Sequence, residues 1–474
     1  MKMLLDDTWV ERQHAEEIRD PYDGSVVDTV PLATREDVSR AVDAARAGFE
    51  AQKQLSAYER ATILRDTANQ VQSAAEEFAH LVASEGSKTI REARKEVSRC
   101  INTLNVAADE SKRSAGSTIN FDSFPGGENR KGWYERVPAG LITAITPFND
   151  PLNLVAHKLG PAVAAGNAVL LKPSMDTPLS ALKLVATLQA AGLPPRVVQA
   201  LTGNPDDLGE QLLTDPRIRM ISFTGGVATG EHISRTAGIK KLSLELGANS
   251  PVLVMNDADL DAAAASCVSG AFWAAGQNCL GVQRIYVQRD CYAAFRKRFV
   301  DLAAGLRLGP KLSEQTDMGP LIDTAAADRI ERWLHEAQQQ GASILTGGTR
   351  QGNVIAPTVL ENVSTDSPLH REEVFGPTVN LYPIDDLEHG IREANSLPYG
   401  IHAAIFTRDA NTAFHAAAEL ECGGVIINDS TDYRLDAMPF GGVKRSGIGR
   451  EGVRYAIEEM TELKVVCWTF PERA

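Results

Sequence analysis

The chain has 474 residues, 43% of them hydrophobic and 23% charged, which excludes a disordered chain and predicts about two or three globular domains. Its 48 Lys and Arg against 62 Asp and Glu give a net charge of −14, which argues against nucleic-acid or anionic-membrane partners, and no apolar run approaches the ~18 residues of a membrane helix. The 6 cysteines form no CxxC pair and the 9 histidines have no zinc-ligand spacing, so we expect reduced thiols, a cytoplasmic protein and no metal site.

Residues 33–115 predict mostly amphipathic helix, with Thr34 as the N-cap of the first helix. Residues 116–138 contain Gly, Ser and Pro followed by a β-prone run. This change of composition predicts a hairpin-like excursion from the main domain.

Short apolar runs alternate with helical patterns between residues 139 and 255. The predicted strands are 141–145, 168–171, 197–201, 220–223 and 241–246. The predicted helices are 150–165, capped by Asp150 and begun by Pro151, and 178–191. This alternation indicates βαβ units and therefore an α/β fold with a parallel sheet.

A second α/β series follows from about residue 251. Its predicted elements are helix 259–275, strand 284–287, helices 290–306 and 323–340, and strand 424–428. The final stretch 462–470 is β-prone and would pair with the 116–138 excursion or with another subunit. Neither piece has an evident place in a larger sheet, and exposed edges of this type predict a homodimer or homotetramer.

Three short motifs could carry chemistry. Cys279, in Gly-Gln-Asn-Cys, is either a nucleophilic thiol on a loop or a buried structural cysteine. The sequence around Cys100, Cys267, Cys291 and Cys422 is not comparable, and we interpret these cysteines as structural. Glu245 ends an apolar strand and is either a surface carboxylate or a buried general base with a raised pKa. Asn149 either supports a strand-to-helix turn or aims its amide at an oxyanion.

Two further segments could bind a phosphate group. The glycine-rich run 223–230 follows a predicted strand and opens a helix, which suits a phosphate at the helix N-terminus but is also usual at an ordinary turn. Lys172, in Lys-Pro-Ser at another strand end, could reach a phosphate or ribose, or could simply be solvated.

Taken together, PFNDP, KPS, FTGG, LELG, GQNC, EEVFGP and PFGGVKRSG closely resemble, in this order, the NAD(P)-dependent aldehyde dehydrogenase superfamily, and the general pattern is most similar to its lactaldehyde-type branch. The resemblance covers nearly the whole chain and implies oxidation of an aldehyde to its acid with NAD or NADP. It also implies a Rossmann-like cofactor domain, an α/β catalytic domain and a small β oligomerisation element. These parts would comprise residues 1–117 with 139–250, residues 251–445, and residues 118–138 with 446–474.

The resemblance also implies roles for individual residues. Cys279 would be the nucleophile, Glu245 the base that activates water, and Asn149 with the Cys279 N–H the oxyanion hole; Lys158 would be the family's helix lysine near the active site. Lys172 would contact the adenosine ribose and Glu373 the nicotinamide ribose. The complete set of implied cofactor contacts is Phe148, Lys172, Ser174, Gly225, Gly226, Leu246, Glu373 and Phe375.

Three positions depart from the family pattern. Gly226 stands where many members have serine, and Phe148 where tryptophan is common. Met175 stands where NAD-preferring members often carry a glutamate that grips the ribose hydroxyls and repels a 2′-phosphate. NADP should therefore be tolerated, and the preference between NAD and NADP stays open.

The implied substrate pocket contains several chargeable groups, which favours a small polar aldehyde over a long alkanal. Its candidate residues are Asp150, Leu154, His157, Trp273, Asn278, Leu280 and Arg434. Lactaldehyde-like, semialdehyde-like and phosphono- or sulfo-aldehydes all stay open. Arg434 would either contact the substrate or pair with Asp432 or Asp436.

Three alternative functions fit the sequence less well. A CoA-acylating enzyme of the same superfamily tends to lack the glutamate base, so Glu245 argues against it. A non-catalytic structural member would not need Cys279, Glu245 and Asn149 together. A cysteine hydrolase would leave the nucleotide-binding half unexplained, and no histidine has a recognisable relation to Cys279.

Overall fold

The computed structural model describes residues 1–113 and 115–471. Its α-helices follow mainly from amphipathic patterns, and several begin at a side-chain N-cap; Thr34, as predicted, caps the first. They are α1 Arg35–Gln52, α2 Ala57–Ser73, α3 Ala75–Glu85, α4 Ile90–Ser111, α5 Asn153–Ala165, α6 Leu179–Ala190, α7 Pro205–Thr214, α8 Val227–Thr236, α9 Leu260–Phe272, α10 Arg289–Ala304, α11 Thr324–Gln339, α12 Pro368–Arg371, α13 Leu387–Asn395, α14 Ala410–Glu419 and α15 Val453–Glu459.

The strands are short, and those at the centre of the larger sheets are almost entirely buried. They are β1 Met3–Leu5, β2 Thr8–Val10, β3 Ala15–Arg19, β4 Val26–Pro31, β5 Ser117–Ile119, β6 Arg130–Pro138, β7 Leu141–Ile145, β8 Ala168–Lys172, β9 Val198–Ala200, β10 Ile218–Thr224, β11 Lys241–Glu245, β12 Ser250–Val254, β13 Val282–Gln288, β14 Ser343–Thr346, β15 Arg350–Gln351, β16 Val354–Ile355, β17 Thr358–Glu361, β18 Thr378–Ile384, β19 His402–Phe406, β20 Gly424–Ile427, β21 Gly447–Ile448 and β22 Thr461–Thr469.

The first large sheet has the strand order β2-β1-β9-β8-β7-β10-β11-β21. Its five central strands, β9, β8, β7, β10 and β11, are parallel, whereas β1, β2 and β21 pair antiparallel at its two edges. Apolar side chains of α2 to α6 form a core on one face, and those of α1 and α7 form a core on the other. The predicted α/β architecture with a parallel sheet is confirmed for this half of the chain.

The second large sheet has the order β14-β17-β18-β13-β12-β19-β20, in which only the edge strand β14 is antiparallel. Helices α9 and α10 cover one face, and α13 and α14 the other. A third, antiparallel sheet has the order β22-β6-β5, with all nine residues of β22 in register with β6. The predicted pairing of the final stretch with the 116–138 excursion is confirmed.

Some predicted boundaries differ from the structure. The helix predicted from Asp150 begins at Asn153, because the Asp150 carboxylate forms an ion pair with buried Lys88. The Glu96 carboxylate instead accepts the N–H groups of Leu152 and Asn153 at 2.8 and 3.0 Å.

The element predicted to comprise residues 446–474 is divided. Strand β21 pairs with the end of β11 in the first sheet, and α15 packs on α4 and α5, so only the chain from Thr461 onward joins the three-stranded sheet. In the part of the chain that the structure describes, no helix is long and apolar enough to cross a membrane. Within the same residues, no cluster of His, Cys, Asp and Glu has a metal-ligating arrangement.

Candidate active site

Cys279 lies on a sharply turned loop between α9 and β13. The predicted helix 259–275 ends at Phe272, because Ala274 and Ala275 have φ angles of +49° and +56° that an α-helix cannot contain. Gly276 continues this left-handed run with φ +71°, and a Cβ there would collide with the backbone of Gly376. The loop is therefore pressed against the segment that carries Glu373 and Phe375.

Cys279 shares a cleft of about 1290 Å³ with most of the predicted site residues. The cleft runs along the carboxyl ends of the parallel strands of the first sheet and reaches the loops of the second. Predicted residues that line it are Phe148, Asn149, Leu154, Lys172, Ser174, Gly225, Gly226, Glu245, Leu246, Cys279, Glu373 and Phe375.

Glu245 ends β11 as a fully buried carboxyl group, with a relative exposure of 2%. Among the described residues, neither of its oxygens has a hydrogen-bond partner. Burial raises the pKa of Glu245 well above its usual range, and the nearby negative charge of Glu451 raises it further. The alternative of a surface carboxylate is therefore wrong, and the Glu245 carboxylate is a stronger proton acceptor than an exposed glutamate.

The Cys279 side chain is half-buried beside the cleft. Burial raises its pKa to about 12, while the positive charge of Arg434 opposes this shift. The thiol is thus protonated at neutral pH and needs a base before it can attack a carbonyl. Within the described residues, the backbone N–H of Cys279 donates to no acceptor, which leaves it free to bind a developing oxyanion.

Behind Glu245 lies a buried ionic network that does not line the cleft. Lys158 donates to Glu451 at 3.2 Å and to Ser222 at 3.0 Å, and Arg434 donates to the other Glu451 oxygen at 3.2 Å. Although burial opposes ionisation, the charges of Lys158 and Arg434 lower the pKa of Glu451 to about 2. The network therefore keeps a fixed negative charge beside Glu245. Sequence reasoning missed Glu451, since no local pattern distinguishes it from a surface acid.

Arg434 was predicted either to contact the substrate or to pair with Asp432 or Asp436, and its surroundings in the structure are different. Its side chain is only 6% exposed and pairs with Glu451, whereas Asp436 is paired with Arg99 and His157. The guanidinium carbon lies 3.7 Å from the centroid of the Phe440 ring, and its Nε is buried without a partner among the described residues. Arg434 is therefore a buried cation close enough to act on the pKa of Cys279.

The remaining pocket candidates lie outside the cleft lining. His157 is buried against Asp436, with its Nε2 3.1 Å from a carboxylate oxygen, and Asp150 is held by Lys88. Lys95 lies over the Trp273 ring at 4.6 Å, and the Asn278 amide oxygen accepts the Leu280 N–H at 3.1 Å. Leu280 packs in a small core with Ala248, Ile401 and Phe440, against Cys279.

The other end of the cleft has the form of an anion and ribose site. Helix α8 has Gly226 as its N-cap and therefore no side-chain cap, so its first N–H groups are free at the cleft. Burial lowers the pKa of Lys172 to about 8. Burial raises the pKa of Glu373 to about 7, and its carboxylate accepts the Ala248 N–H at 2.9 Å.

Phe148 and Phe375 line the cleft as a pair of aromatic rings. Their rings meet edge to face with centroids 5.7 Å apart, and Phe375 has a left-handed backbone with φ +48°. Sequence reasoning missed Arg329, which reaches the cleft from α11 and counters the negative charge of Glu373. A cleft of this kind can hold a flat, charged, elongated molecule with one end against the thiol.

Comparison with known proteins agrees with this geometry. Residues 9–466 match the model of the aldehyde dehydrogenase family. Aspartate-semialdehyde dehydrogenase 1 of Pseudomonas canavaninivorans is 53% identical over 451 residues, 95% of this chain and 96% of that protein. The 3-sulfolactaldehyde dehydrogenase of Priestia aryabhattai is 44% identical over 464 residues, 98% of this chain and 97% of that protein.

Solved structures show the same relationship. Aldehyde dehydrogenase 21 from Physcomitrella patens, in complex with the reaction product succinate, superposes with a TM-score of 0.96 at 38% identity, covering 99% of this chain and 98% of that one. Both the sequence and the fold match over nearly their whole length. The chain therefore belongs to the aldehyde dehydrogenase family.

Proposed function

We propose that the protein oxidises a small polar aldehyde to its carboxylic acid with NAD⁺ or NADP⁺. The observation that carries this proposal is the cleft that holds a half-buried thiol, Cys279, and a proton acceptor, Glu245, beside an anion and ribose site. A thiol and a buried carboxyl group are the two groups that a thioester mechanism requires.

In the first half of this reaction the Cys279 sulfur bonds to the carbonyl carbon, and its proton passes to the Glu245 carboxylate. The resulting oxyanion is stabilised by the Asn149 amide and the Cys279 N–H. When bound, the nicotinamide ring supplies the acceptor for the hydride that this intermediate loses, which leaves a thioester on Cys279.

The second half releases the acid. After giving its proton to solvent, Glu245 takes one from a water molecule, whose oxygen attacks the thioester carbonyl. The carbon–sulfur bond then breaks, the acid leaves and the sulfur regains a proton. The CoA-acylating alternative would not need this base, so the presence of Glu245 in the same cleft as Cys279 supports hydrolysis by water.

The residues at the far end of the cleft fit a dinucleotide. The uncapped start of α8 suits a pyrophosphate, Lys172 a ribose or phosphate, and Glu373 a ribose hydroxyl. Met175 lines the cleft without a carboxylate, but Asp176, Asp206 and Glu210 line it as well, so the lining favours neither NAD nor NADP. Solved relatives contain either cofactor, for example an NADP complex of glyceraldehyde-3-phosphate dehydrogenase and a betaine aldehyde dehydrogenase with NAD⁺.

A polar or anionic tail on the substrate is supported by two observations. The names of the similar enzymes refer to aspartate semialdehyde, 3-sulfolactaldehyde and lactaldehyde, all of which carry polar groups. In this chain, Arg434 keeps a buried Nε donor without a partner among the described residues, close to Cys279. Arg434 does not line the cleft, so it would act on an anionic tail through its positive charge rather than by direct contact.

Replacing Arg434 by alanine tests this substrate class. Loss of this nearby positive charge should lower kcat/KM for succinate semialdehyde by roughly 10-fold, the equivalent of ~1.4 kcal/mol, measured by reduced-cofactor absorbance. Propanal, which lacks a polar tail, should be much less affected. Arg434→Lys, which keeps the charge but not the planar fork, should give an intermediate loss. Equal losses for both kinds of aldehyde would show that Arg434 acts only through Glu451.

We also propose that the three-stranded sheet joins two or four copies of the chain. Strand β22 is the edge of that sheet, and exposed apolar side chains on the sheet and just beyond it include Trp133, Leu463, Val465, Trp468 and Phe470. Light scattering at micromolar concentration should give a dimer or tetramer, and Trp468→Lys should weaken it. The control is Phe414→Lys, at an equally exposed ring on α14. A monomeric wild-type protein would contradict the proposal.

A further inference from the structure

The loops that carry Asn149 and Cys279 belong to different sheets, yet both are tied to the start of helix α4. The Asn149 loop joins β7 to α5 in the first sheet, and the Cys279 loop joins α9 to β13 in the second. Glu92 and Glu96, one turn apart on α4, each reach one of these loops. We propose that Glu92 and Glu96 are positioning residues that fix the oxyanion donor and the nucleophile relative to each other across the domain junction.

Glu96 holds the Asn149 loop through three hydrogen bonds. One oxygen accepts the N–H groups of Leu152 and Asn153 at 2.8 and 3.0 Å, and the other accepts Lys88 Nζ at 2.6 Å. Lys88 in turn pairs with Asp150, the residue next to Asn149. The side chains of Glu96 and Lys88 are 1% and 2% exposed, so solvent cannot replace these contacts.

Glu92 holds the Cys279 loop in a similar way. One oxygen accepts the Ala274 N–H at 2.8 Å, and the other closes the capping box of α4 with the Thr89 N–H, also at 2.8 Å. Ala274 and Ala275 are the two non-glycine residues with left-handed backbone in this loop. Such backbone persists only where surrounding contacts impose it, and the Glu92 carboxylate provides one of them.

The same end of α4 is also attached to the second half of the chain. Lys311 donates to the Gly86 carbonyl at 2.7 Å, and its own carbonyl accepts the Ile90 N–H at 2.9 Å. A Cβ at Gly319 would collide with the Ser87 carbonyl, so the two segments are in close contact. The start of α4 is thus fixed to both halves, which allows it to transmit a precise geometry between the two loops.

This inference rests on the proposed function, and its test is a double-mutant cycle between Glu96 and Asn149. We expect Glu96→Ala to slow hydride transfer in a single turnover roughly 10- to 100-fold, since a displacement of about 1 Å can cost ~10²-fold. The dissociation constant of the cofactor, followed by fluorescence, should stay unchanged. In an Asn149→Ala background, itself expected to lose ~10²–10³-fold, Glu96→Ala should cause little further loss.

Glu85→Ala is the matched control. Glu85 is equally buried and accepts the N–H groups of Leu179 and Ser180 at 2.6 and 2.8 Å, so it supports the start of α6 but touches neither loop. Its loss should lower the melting temperature comparably and leave the Glu96–Asn149 coupling unaffected. Should Glu96→Ala fail to fold, Glu96→Gln keeps one acceptor oxygen but loses the charge that holds Lys88, and should show a smaller loss with the same coupling.

Glu92 is tested through the thiol itself. Glu92→Gln should shift the pH profile of Cys279 alkylation by iodoacetamide, whereas Glu96→Ala should leave it in place. Additive losses for Glu96 and Asn149, or equal effects of Glu96→Ala and Glu85→Ala on hydride transfer, would overturn the positioning role. Asn149→Ala and Cys279→Ala report on the proposed function separately, because each removes a proposed reacting group and leaves the contacts of Glu92 and Glu96 in place.

Discussion

Replacing Cys279 by alanine is expected to reduce aldehyde oxidation by roughly 10⁴-fold or more, because no other described side chain in the cleft is a thiol that could form the thioester. Cofactor affinity should hardly change, since the implied dinucleotide contacts lie on other residues. The measurement is reduced-cofactor absorbance with an aldehyde panel, together with a fluorescence titration of NAD⁺ and NADP⁺.

The control for this experiment is Cys422→Ala. Cys422 is half-buried like Cys279 but lies outside the cleft, next to the Gly424 carbonyl. It should keep wild-type turnover. Substantial activity in purified Cys279→Ala protein would exclude the covalent mechanism and leave the family membership intact.

Much of the candidate site could be predicted because parallel strands deliver their carboxyl ends to one edge of a sheet. Lys172 ends β8, Thr224 ends β10 and Glu245 ends β11. Strands β8 and β10 flank β7, which leads into Asn149, and β11 lies beside β10. A motif placed just after a strand is therefore brought to the same cleft as its neighbours, whatever the distance along the chain.

Two of the strands that the sequence did not predict, β18 and β19, have patterns that are unusual for strands. In β18, Asn380 and Pro383 interrupt the apolar run, yet Asn380 is buried and donates to the Leu369 carbonyl at 2.7 Å. Strand β19 is rich in alanine, which favours helix, and begins with buried His402 bonded to the Thr431 carbonyl. In both strands a tertiary contact outweighs the local preference.

Buried ion pairs were beyond sequence reasoning for a related reason. Arg434 pairs with Glu451 rather than with Asp436 two residues away, and Lys88 pairs with Asp150, which was predicted to cap a helix. Each pairing depends on which charged side chains the fold buries next to each other. The spacing of residues along the chain does not show this. Arg434 was therefore predicted to lie on a surface loop or at the substrate, whereas it is buried beside Glu451.

Glu245→Gln should give one turnover followed by a stall. Glutamine has nearly the same shape but cannot accept the proton of the attacking water, so thioester hydrolysis should slow by ~10²–10⁴-fold. Hydride transfer should still occur at high pH, where the thiol ionises without help; its pKa of about 12 makes this burst slow near neutrality. Rapid mixing should show a burst of reduced cofactor equal to the number of active sites.

The pH dependence of thioester hydrolysis is an independent test of Glu245 as the general base. Because burial and Glu451 raise the pKa of Glu245, the carboxyl group is protonated at low pH and becomes a base only as the pH rises through that pKa. The hydrolysis rate of the wild-type protein should therefore increase with pH, and this limb should be absent in Glu245→Gln. Glu451→Gln removes a neighbouring negative charge, so it should move the limb to lower pH.

Chemical rescue separates loss of the base from general damage to the site. Hydroxylamine cleaves a thioester without a protein base, so it should restore continuous turnover in Glu245→Gln but not in Cys279→Ala. Mass spectrometry of the stalled protein should find the acyl group on Cys279. If instead CoA were the natural acyl acceptor, the wild-type protein itself would stall in its absence, and Glu245→Gln would turn over normally once CoA was added. An unchanged steady-state rate in Glu245→Gln without CoA would remove this residue from the reaction.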